Sequence, residues 1–233
     1  MTASGQKTPK SIVPIGTKPL IWHLMRQFSK HNINENLLAL GHHQTEIRAA
    51  LESISQPTSG SSQLIFKEGK FKWQARLFDT GLETNTAGRI KRLSDHLQKT
   101  FILAWSDGLM NVEMPKMQQF HQQHAKLATI LAVRPPSRFG RLQISSDACV
   151  ATFSEKQALK TEWINGGLFI LEPDVIAYIK DDASSWEYDV LPALAKDGEL
   201  MAWQHESFWQ CADYAHEIDI LNNRWHAGKA PWV

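Results

Sequence analysis

Hydrophobic residues along the chain follow two patterns, which are short continuous runs and amphipathic stretches that repeat every three to four residues. The runs predict buried strands, and the amphipathic stretches predict helices. The two patterns alternate through residue 133, which favours an α/β fold with a mainly parallel sheet and right-handed crossovers. Helices are predicted over 20–31, 45–54, 89–97, 114–124, 173–179, 188–195 and 214–226, and strands over 36–41, 64–66, 73–78, 101–105, 127–133, 168–171 and 200–205.

The second half of the chain departs from this alternation. Two short strand patterns, 141–145 and 148–153, are separated by a turn at Ser146-Asp147 and predict a hairpin. We expect this half to form an antiparallel elaboration at one edge of the sheet. No internal repeat and no long linker divides the sequence, so 1–233 is predicted to be one domain.

The run from Phe101 to Trp105 is the strongest strand signal, and Ser106-Asp107-Gly108 follows it directly. Five apolar residues predict a strand that is buried on both faces. Ligands of parallel α/β sheets collect just beyond the carboxyl ends of such strands. A carboxylate at Asp107 could hold Mg²⁺ against a phosphate there. The alternative is that Asp107 caps the next helix or fills a turn.

Composition narrows the class of protein. The formal net charge of the 233 residues is +1, so no overall field points to nucleic acid or a membrane surface. No apolar run is long enough to span a bilayer, and the first residues do not resemble a signal peptide. The two cysteines match no metal or redox spacing and fit a reduced cytoplasm. Several of the nine tryptophans fall near the end, which predicts either an aromatic cluster or a contact surface there, and a subunit contact would imply a homo-oligomer.

A series of short motifs carries a family resemblance. They are Pro9-Lys10, Ile15-Gly16-Thr17-Lys18-Pro19-Leu20-Ile21-Trp22-His23, Asp79-Thr80-Gly81, Thr86-Ala87-Gly88-Arg89, Ser106-Asp107-Gly108, Pro135-Pro136-Ser137-Arg138-Phe139-Gly140, Phe153-Ser154-Glu155-Lys156, Ile164-Asn165-Gly166-Gly167, Trp186-Glu187, Gly198-Glu199-Leu200-Met201, Phe208-Trp209-Gln210 with Asp213, and Gly228-Lys229-Ala230-Pro231-Trp232. In their order and spacing they resemble the sugar-phosphate nucleotidyltransferases. The segments 135–140 and 228–232 make the glucose-1-phosphate cytidylyltransferases the most similar branch.

This resemblance implies a fold and a reaction. The fold would be a mostly parallel, Rossmann-like nucleotidyltransferase sheet flanked by helices, with an antiparallel sugar-binding elaboration. The reaction would transfer a cytidylyl group from CTP to α-D-glucose 1-phosphate, giving CDP-glucose and pyrophosphate, with Mg²⁺ as cofactor. Because two polyanions must meet, catalysis of this kind depends mainly on positioning and on charge neutralisation.

The resemblance also implies roles for individual residues. Asp107 and Asp213 would hold the metal, and Lys10 would lie along the triphosphate. Thr84 and Arg89 match positions near the nucleotide. On the sugar side, the implied residues are Glu155 for hydroxyl groups, Lys156 for the phosphate, and Asn165 and Gly166 for the pocket wall. Lys10, Asp107 and Lys156 would serve catalysis directly.

Each of these residues also has an ordinary structural interpretation. Lys10 and Arg89 could be surface cations, as most lysines and arginines are. Glu155-Lys156 could be a solvated charge pair worth less than about 1 kcal/mol. Asn165-Gly166 is part of a sequence that favours a turn in many proteins.

The sequence departs from the family pattern at its start. Family members begin with an apolar strand and a loop of the form G-G-x-G-T-R, and nothing before Pro9 resembles either. The usual first strand would then be missing, and we expect its neighbours to show an unpaired edge or a gap. Smaller departures are Ser106 in place of a glycine before the metal aspartate and Gln157 in place of a proline.

Three explanations of this departure stay open at the level of sequence. The chain could be a fragment or a mis-started reading frame of an ordinary cytidylyltransferase, which is the explanation we favour. It could be a complete but catalytically impaired sugar-nucleotide-binding pseudoenzyme or oligomer subunit. Alternatively, the missing strand and loop could come from another chain. A nucleotidyltransferase with another base preference is a further alternative.

Overall fold

The computed structural model describes residues 8–56, 63–134, 141–146, 148–154 and 162–233. Their helices are α1 (Leu20–Ser29), α2 (Gln44–Glu52), α3 (Thr86–Arg92), α4 (Met114–His124), α5 (Leu191–Lys196) and α6 (Ala215–His226). Short 3₁₀ turns cover Lys10–Ile12, Ser94–His96 and Pro173–Tyr178, and a π-helical turn over Trp186–Val190 leads into α5. Among the described residues, no helix is both long and apolar enough to cross a membrane.

Thirteen strands lie in the described parts of the chain. They are β1 (Pro14–Ile15), β2 (Lys18–Pro19), β3 (Glu35–Leu40), β4 (Gln63–Glu68), β5 (Phe71–Asp79), β6 (Phe101–Ala104), β7 (Gly108–Met110), β8 (Ala128–Val133), β9 (Arg141–Ile144), β10 (Val150–Ser154), β11 (Ile164–Leu171), β12 (Leu200–His205) and β13 (Trp209–Cys211). The two main sheets have the strand orders β12-β8-β11-β6 and β3-β5-β4. The predicted α/β class is confirmed, and so is the hairpin, formed by β9 and β10.

The sheets are more mixed than the predicted mostly parallel arrangement. Among the described strands, the parallel pairs are β3 with β5 and β8 with β12. Strand β11 runs antiparallel between β8 and β6, and β4 runs antiparallel to β5. Alternation of strands and helices through residue 133 predicted β3, β5 and β8 well. The strand predicted over 168–171 is part of β11, but the expected place of the second half at one edge of the sheet is wrong for it, because β11 lies between β8 and β6.

The run beginning at Phe101 forms a strand as predicted, and both of its faces pack against the core, with Ile102 on one side and Leu103 on the other, but the strand is only partly buried. Strand β6 is at the edge of its sheet and pairs only with β11 among the described strands. All four of its residues are half-buried. A continuous apolar run reports how hydrophobic a strand is, but the number of its neighbours depends on pairing with distant segments.

The free edge of β6 and that of β3 face a common cavity of about 680 Å³. We call this space the β3/β6 slot, and it is defined by Glu35–Leu40 on one side and Thr100–Ala104 on the other. Its apolar wall includes Leu24 and Phe28 of α1. No described strand lies between β3 and β6, so the predicted gap beside the unpaired edges is confirmed.

Helix α1 joins the two halves of the core because every one of its ten residues is buried. One face, with Leu20, Leu24 and Phe28, packs against the side of the larger sheet. The opposite face, with Ile21 and Met25, packs against β4 and β5. The predicted boundaries of α1 are confirmed to within two residues. Those of α3 are wrong, because the helix begins at Thr86, after the cap at Asn85, and ends at Arg92.

Candidate active site

Two aspartates that are far apart in sequence meet at one end of a small strand pair. Strand β13 runs antiparallel to β7 with Cys211 opposite Gly108. Asp107 immediately precedes β7, and Asp213 follows β13 by two residues. The Ala212 amide donates a 2.7 Å hydrogen bond to the Asp107 carbonyl oxygen, which continues the pairing beyond the strands. The backbone therefore fixes both carboxylate-bearing residues at the same edge.

Lys10 completes this cluster from the beginning of the described chain. Its Nζ atom donates a 2.5 Å hydrogen bond to Oδ1 of Asp213 and lies 4.0 Å from Oδ2 of Asp107. The 3₁₀ turn Lys10–Ile12 fixes the backbone at this point. The side chains are partly open to solvent, with exposed fractions of 50% for Lys10, 31% for Asp107 and 37% for Asp213. The cluster is thus accessible to a ligand.

The electrostatics of the cluster show two carboxylates whose repulsion is only partly offset. Burial raises the pKa of Asp107, and the charge of Asp213 raises it further, while Lys10 acts in the opposite direction. The hydrogen bond to Asp213 raises the pKa of Lys10, so this side chain stays cationic at neutral pH. One ammonium therefore faces two acidic groups, and additional positive charge would be favourable here.

The donor set fits a divalent cation of the hard, oxygen-preferring class. Asp107 and Asp213 offer carboxylate oxygens from two backbone segments that are tied together by the Ala212 hydrogen bond. Mg²⁺ is commonly held in proteins by one or two carboxylates together with substrate phosphate oxygens and water. A cation between these carboxylates would also relieve the unfavourable charge that raises the pKa of Asp107.

The segment that contains Asn165 and Gly166 is hydrogen-bonded to the two chain segments that carry the aspartates. The register of β11 is interrupted between Asn165 and Phe169, where the strand pairs with β8. The carbonyl oxygen of Gly166 accepts a 2.8 Å hydrogen bond from Nε1 of Trp209, and that of Gly167 accepts one of 2.8 Å from the Trp105 amide. Trp105 and Trp209 precede Asp107 and Asp213 by two and four residues. The irregular part of β11 is therefore attached to both segments that carry the aspartates.

Asn165 shapes this irregular segment. Its Oδ1 accepts a 2.8 Å hydrogen bond from the Gly167 amide. Gly167 has a φ of +72°, and a Cβ atom there would come within 2.7 Å of the Trp105 ring. Glycine is required because the left-handed conformation and the close approach both disfavour a side chain. The predicted turn at this position is in fact an irregularity within a long strand.

Arg89 and Thr84 lie at a different edge, where β3 and β5 end. Nη1 of Arg89 donates hydrogen bonds to the carbonyl oxygens of Leu40 and Gly81, at 3.1 and 2.9 Å, and to Oγ1 of Thr80 at 2.7 Å. Thr84 is buried, with an exposed fraction of 6%. In this structure Arg89 ties together two strand ends, and the nucleotide-binding role of both residues stays a prediction.

Glu155 and Lys156 lie outside the described residues, as does the segment 135–140. The structure therefore places Lys10, Asp107 and Asp213 together, with Asn165 and Gly166 beside them. His121 and His124 make structural contacts, because both rings lie within hydrogen-bonding distance of Oγ1 of Thr129, at 2.8 and 2.7 Å.

Sequence reasoning missed two residues that support the cluster. Trp209 was noted only as part of a motif, yet its indole holds the Gly166 carbonyl. Glu217 was not noted at all, although its carboxylate binds the backbone of Asp213. An acidic residue at the third position of a helix is the signal of a capping box, but Tyr214 is an unusual residue at the cap position before it.

Comparisons with known proteins identify the family of the chain. The nucleotidyl transferase family model matches residues 5–212. A glucose-1-phosphate cytidylyltransferase of Salmonella typhi is 34% identical over 96% of this chain and 90% of its own length. A probable glucose-1-phosphate cytidylyltransferase of Bacillus subtilis (strain 168) is 33% identical over 96% of this chain and 91% of its own.

Solved structures show the same fold at lower sequence identity. HddC from Yersinia pseudotuberculosis superimposes with a TM-score of 0.72 at 20% identity, covering 96% of this chain and 92% of its own. The match of the family model to most of the chain and the identity to the two cytidylyltransferases are decisive. The chain therefore belongs to the nucleotidyl transferase family.

Proposed function

We propose that this protein transfers a cytidylyl group from CTP to α-D-glucose 1-phosphate, producing CDP-glucose and pyrophosphate with Mg²⁺ as the metal. The cluster of Lys10, Asp107 and Asp213 is the observation that carries the proposal, because it combines one cation with two carboxylates that could hold a metal ion. The identity to glucose-1-phosphate cytidylyltransferases selects the base and the sugar within the family.

The reaction requires a sugar-phosphate oxygen to approach the α-phosphorus of a nucleoside triphosphate while pyrophosphate leaves. Bound Mg²⁺ would neutralise charge on the phosphate oxygens. Asp107 and Asp213 would hold it from two segments whose spacing is set by the β7–β13 pairing. Lys10 would exchange its contact with Asp213 for the triphosphate, whose negative charge is larger.

Asn165 and Gly166 would form the adjoining wall of the sugar pocket, with Gly166 fixed by Trp209. We further propose that Glu155 binds sugar hydroxyls and that Lys156 neutralises the sugar phosphate. We also propose that Thr84 and Arg89 bind the nucleotide, and Arg89 in addition holds the ends of β3 and β5 together. We also propose that the protein forms a homo-oligomer, on the basis of the tryptophans near its C-terminus.

The experiment is a matrix of turnover assays on the purified chain. CTP, UTP, GTP and dTTP are each combined with glucose 1-phosphate or mannose 1-phosphate, with and without Mg²⁺. Pyrophosphate release gives the rate, and mass spectrometry identifies the sugar nucleotide. We expect CTP with glucose 1-phosphate to give the highest kcat/KM, and no release without a divalent cation. A clear preference for another base or sugar would overturn the assignment.

One observation favours a second candidate, which is a sugar-nucleotide-binding protein without turnover. The β3/β6 slot is open, so a sheet edge near the site lacks a neighbouring strand among the described residues. This candidate predicts that CDP-glucose raises the melting temperature while no pyrophosphate is released. Ligand-induced stabilisation follows from binding to the folded state alone and does not need catalysis.

A further inference from the structure

Glu217 lies behind the metal-binding cluster and is buried, with an exposed fraction of 2%. Its Oε2 atom accepts a 2.8 Å hydrogen bond from the Asp213 amide and a 3.1 Å hydrogen bond from the Tyr214 amide. The first of these bonds holds the backbone of the residue whose side chain reaches Lys10. A carboxylate this deeply buried is unusual unless it is bound by several donors, and here the backbone supplies two of them.

Cys211 contributes to the same arrangement from β13. Its Sγ atom lies 3.5 Å from Oε2 and 3.6 Å from Oε1 of Glu217 and donates to them. Burial, followed by the charge of Glu217, raises the pKa of the Cys211 thiol to about 12. Cys211, Asp213 and Glu217 lie close together, but the Glu217 oxygens already accept hydrogen bonds from the Cys211 thiol and from the Asp213 and Tyr214 amides.

The two aspartates are consequently held by different means. Asp107 is fixed through its carbonyl oxygen by the Ala212 amide, and Asp213 is fixed through its own amide by Glu217. Asp213 lies two residues after the end of β13. The β7–β13 pairing ends at Cys211, so it does not hold the backbone of Asp213. Removal of Glu217 would free the Asp213 backbone and would leave the amides of Asp213 and Tyr214 without this acceptor.

We propose that Glu217 is a positioning residue that sets the place of Asp213 relative to Asp107 and thereby sets the affinity of the site for a divalent cation. This inference rests on the proposed function, because it takes the two aspartates to be the metal-binding pair. It assigns no contact between Glu217 and the metal or the substrates.

Binding of Mn²⁺ to the full chain tests the proposal without any need for turnover. The free Mn²⁺ signal in electron paramagnetic resonance gives the Kd for the wild type, Glu217→Ala, Glu217→Gln and the control Asp219→Ala. Asp219 is an exposed acidic residue of the same helix, two positions after Glu217. Circular dichroism and a melting curve give the folded fraction, by which each titration is normalised.

We expect Glu217→Ala to raise the Kd for Mn²⁺ about tenfold, which is the lower end of the effect for groups that orient metal ligands. Glu217→Gln keeps an oxygen that can accept both amides, so its Kd should remain within about threefold of the wild type. Asp219→Ala should leave the Kd unchanged. In turnover assays, the Mg²⁺ concentration for half-maximal rate should rise in Glu217→Ala, while kcat at saturating Mg²⁺ changes less.

The outcomes separate this proposal from the proposed function. An unchanged Kd in folded Glu217→Ala would overturn the positioning role and leave the function intact. An equal rise in Asp219→Ala would also overturn it, because the effect would then be one of general charge. Tight Mn²⁺ binding that is lost in Glu217→Ala, in a wild type that forms no CDP-glucose, would support the positioning role while the proposed function fails.

Discussion

Strands end or lack a neighbour in two regions, the corner formed by β7 and β13 and the β3/β6 slot. The two regions differ in whether the backbone there is paired. At the corner, each strand supplies the partner of the other, and the Ala212 amide extends the pairing past the last ladder position. At the slot, two sheet edges face a cavity of about 680 Å³. The corner can therefore hold charged side chains in fixed positions, whereas at the slot the outer edges of β3 and β6 have no paired strand among the described residues.

This difference separates the side chains that internal contacts hold in place from the sheet edge that has no paired strand. The carboxylate pair and Lys10 are positioned by contacts within it. The slot lies beside Ser106, the residue before Asp107, so the two regions adjoin at the end of β6. Under the proposed function, metal binding should depend on the corner, while association through the sheet edge should depend on the slot.

The largest expected effect comes from removing either carboxylate at the corner. Asp107→Asn or Asp213→Asn should lower kcat/KM by more than about 100-fold, because a charge-stabilising element of the transition state is lost. Pyrophosphate release measures the loss, and circular dichroism checks that the fold is retained. Unchanged activity in either variant would contradict the assignment of that residue to the metal.

A smaller effect is expected where the corner holds the sugar side. Trp209→Phe removes the 2.8 Å hydrogen bond to the Gly166 carbonyl and keeps an aromatic ring. A bond of this kind contributes about 0.5–1.5 kcal/mol, so the KM for glucose 1-phosphate should rise about 2–10-fold with little change in the KM for CTP. Trp203→Phe on β12, a half-buried tryptophan that contacts Phe120, is the matched control. Equal shifts in both KM values would show that Gly166 does not serve the sugar.

The open edge of the slot should govern association of the chain with itself. Ile102 is a half-buried residue of β6. A lysine there would place a charge on the unpaired edge and disfavour its pairing with a strand of another molecule. Ile102→Lys should slow aggregation severalfold, measured by light scattering at equal folded fraction. The control Ile220→Lys replaces an exposed isoleucine of α6 and should have little effect. Faster or equal aggregation of Ile102→Lys would show that the molecules do not associate through this strand edge.

The smallest expected effect is on the thermal stability of the metal-free protein. Its sign follows from the raised pKa of Asp107. Burial raises the pKa of Asp107 above its value in the unfolded chain, so its ionisation disfavours the fold. This contribution appears as the pH rises from about 4, the ordinary pKa of Asp, and persists above the raised value. Metal-free Asp107→Asn should therefore melt higher than the wild type at pH 7, but not at pH 3.

The expected rise is a few degrees at most, since about 1 kcal/mol corresponds to about 2–4 °C in a domain of this size. Differential scanning calorimetry across pH measures it. Addition of Mg²⁺ should reverse the order, because only the wild type retains both carboxylates. A variant that melts lower at pH 7 without metal would contradict the repulsion inferred for the pair.

Much of the fold followed from local pattern, because α1, β5 and α6 each have a clear hydrophobic period and clear ends. The position of β6 did not, since its exposure depends on which distant strands pair with it. Asp107 and Asp213 are also distant in sequence, and the resemblance to a family, not the local pattern, brought them together. Glu217 could not be found from its neighbours because the cap residue before the helix, Tyr214, gives no usual signal.

The most direct test is an assay of pyrophosphate release with CTP, glucose 1-phosphate and Mg²⁺, which compares the wild-type chain with the Asp213→Asn variant. The account predicts formation of CDP-glucose that depends on Mg²⁺ and is lost in the variant. Stabilisation of the wild type by CDP-glucose with no release of pyrophosphate would contradict it, and the corner would then be a binding site without catalysis.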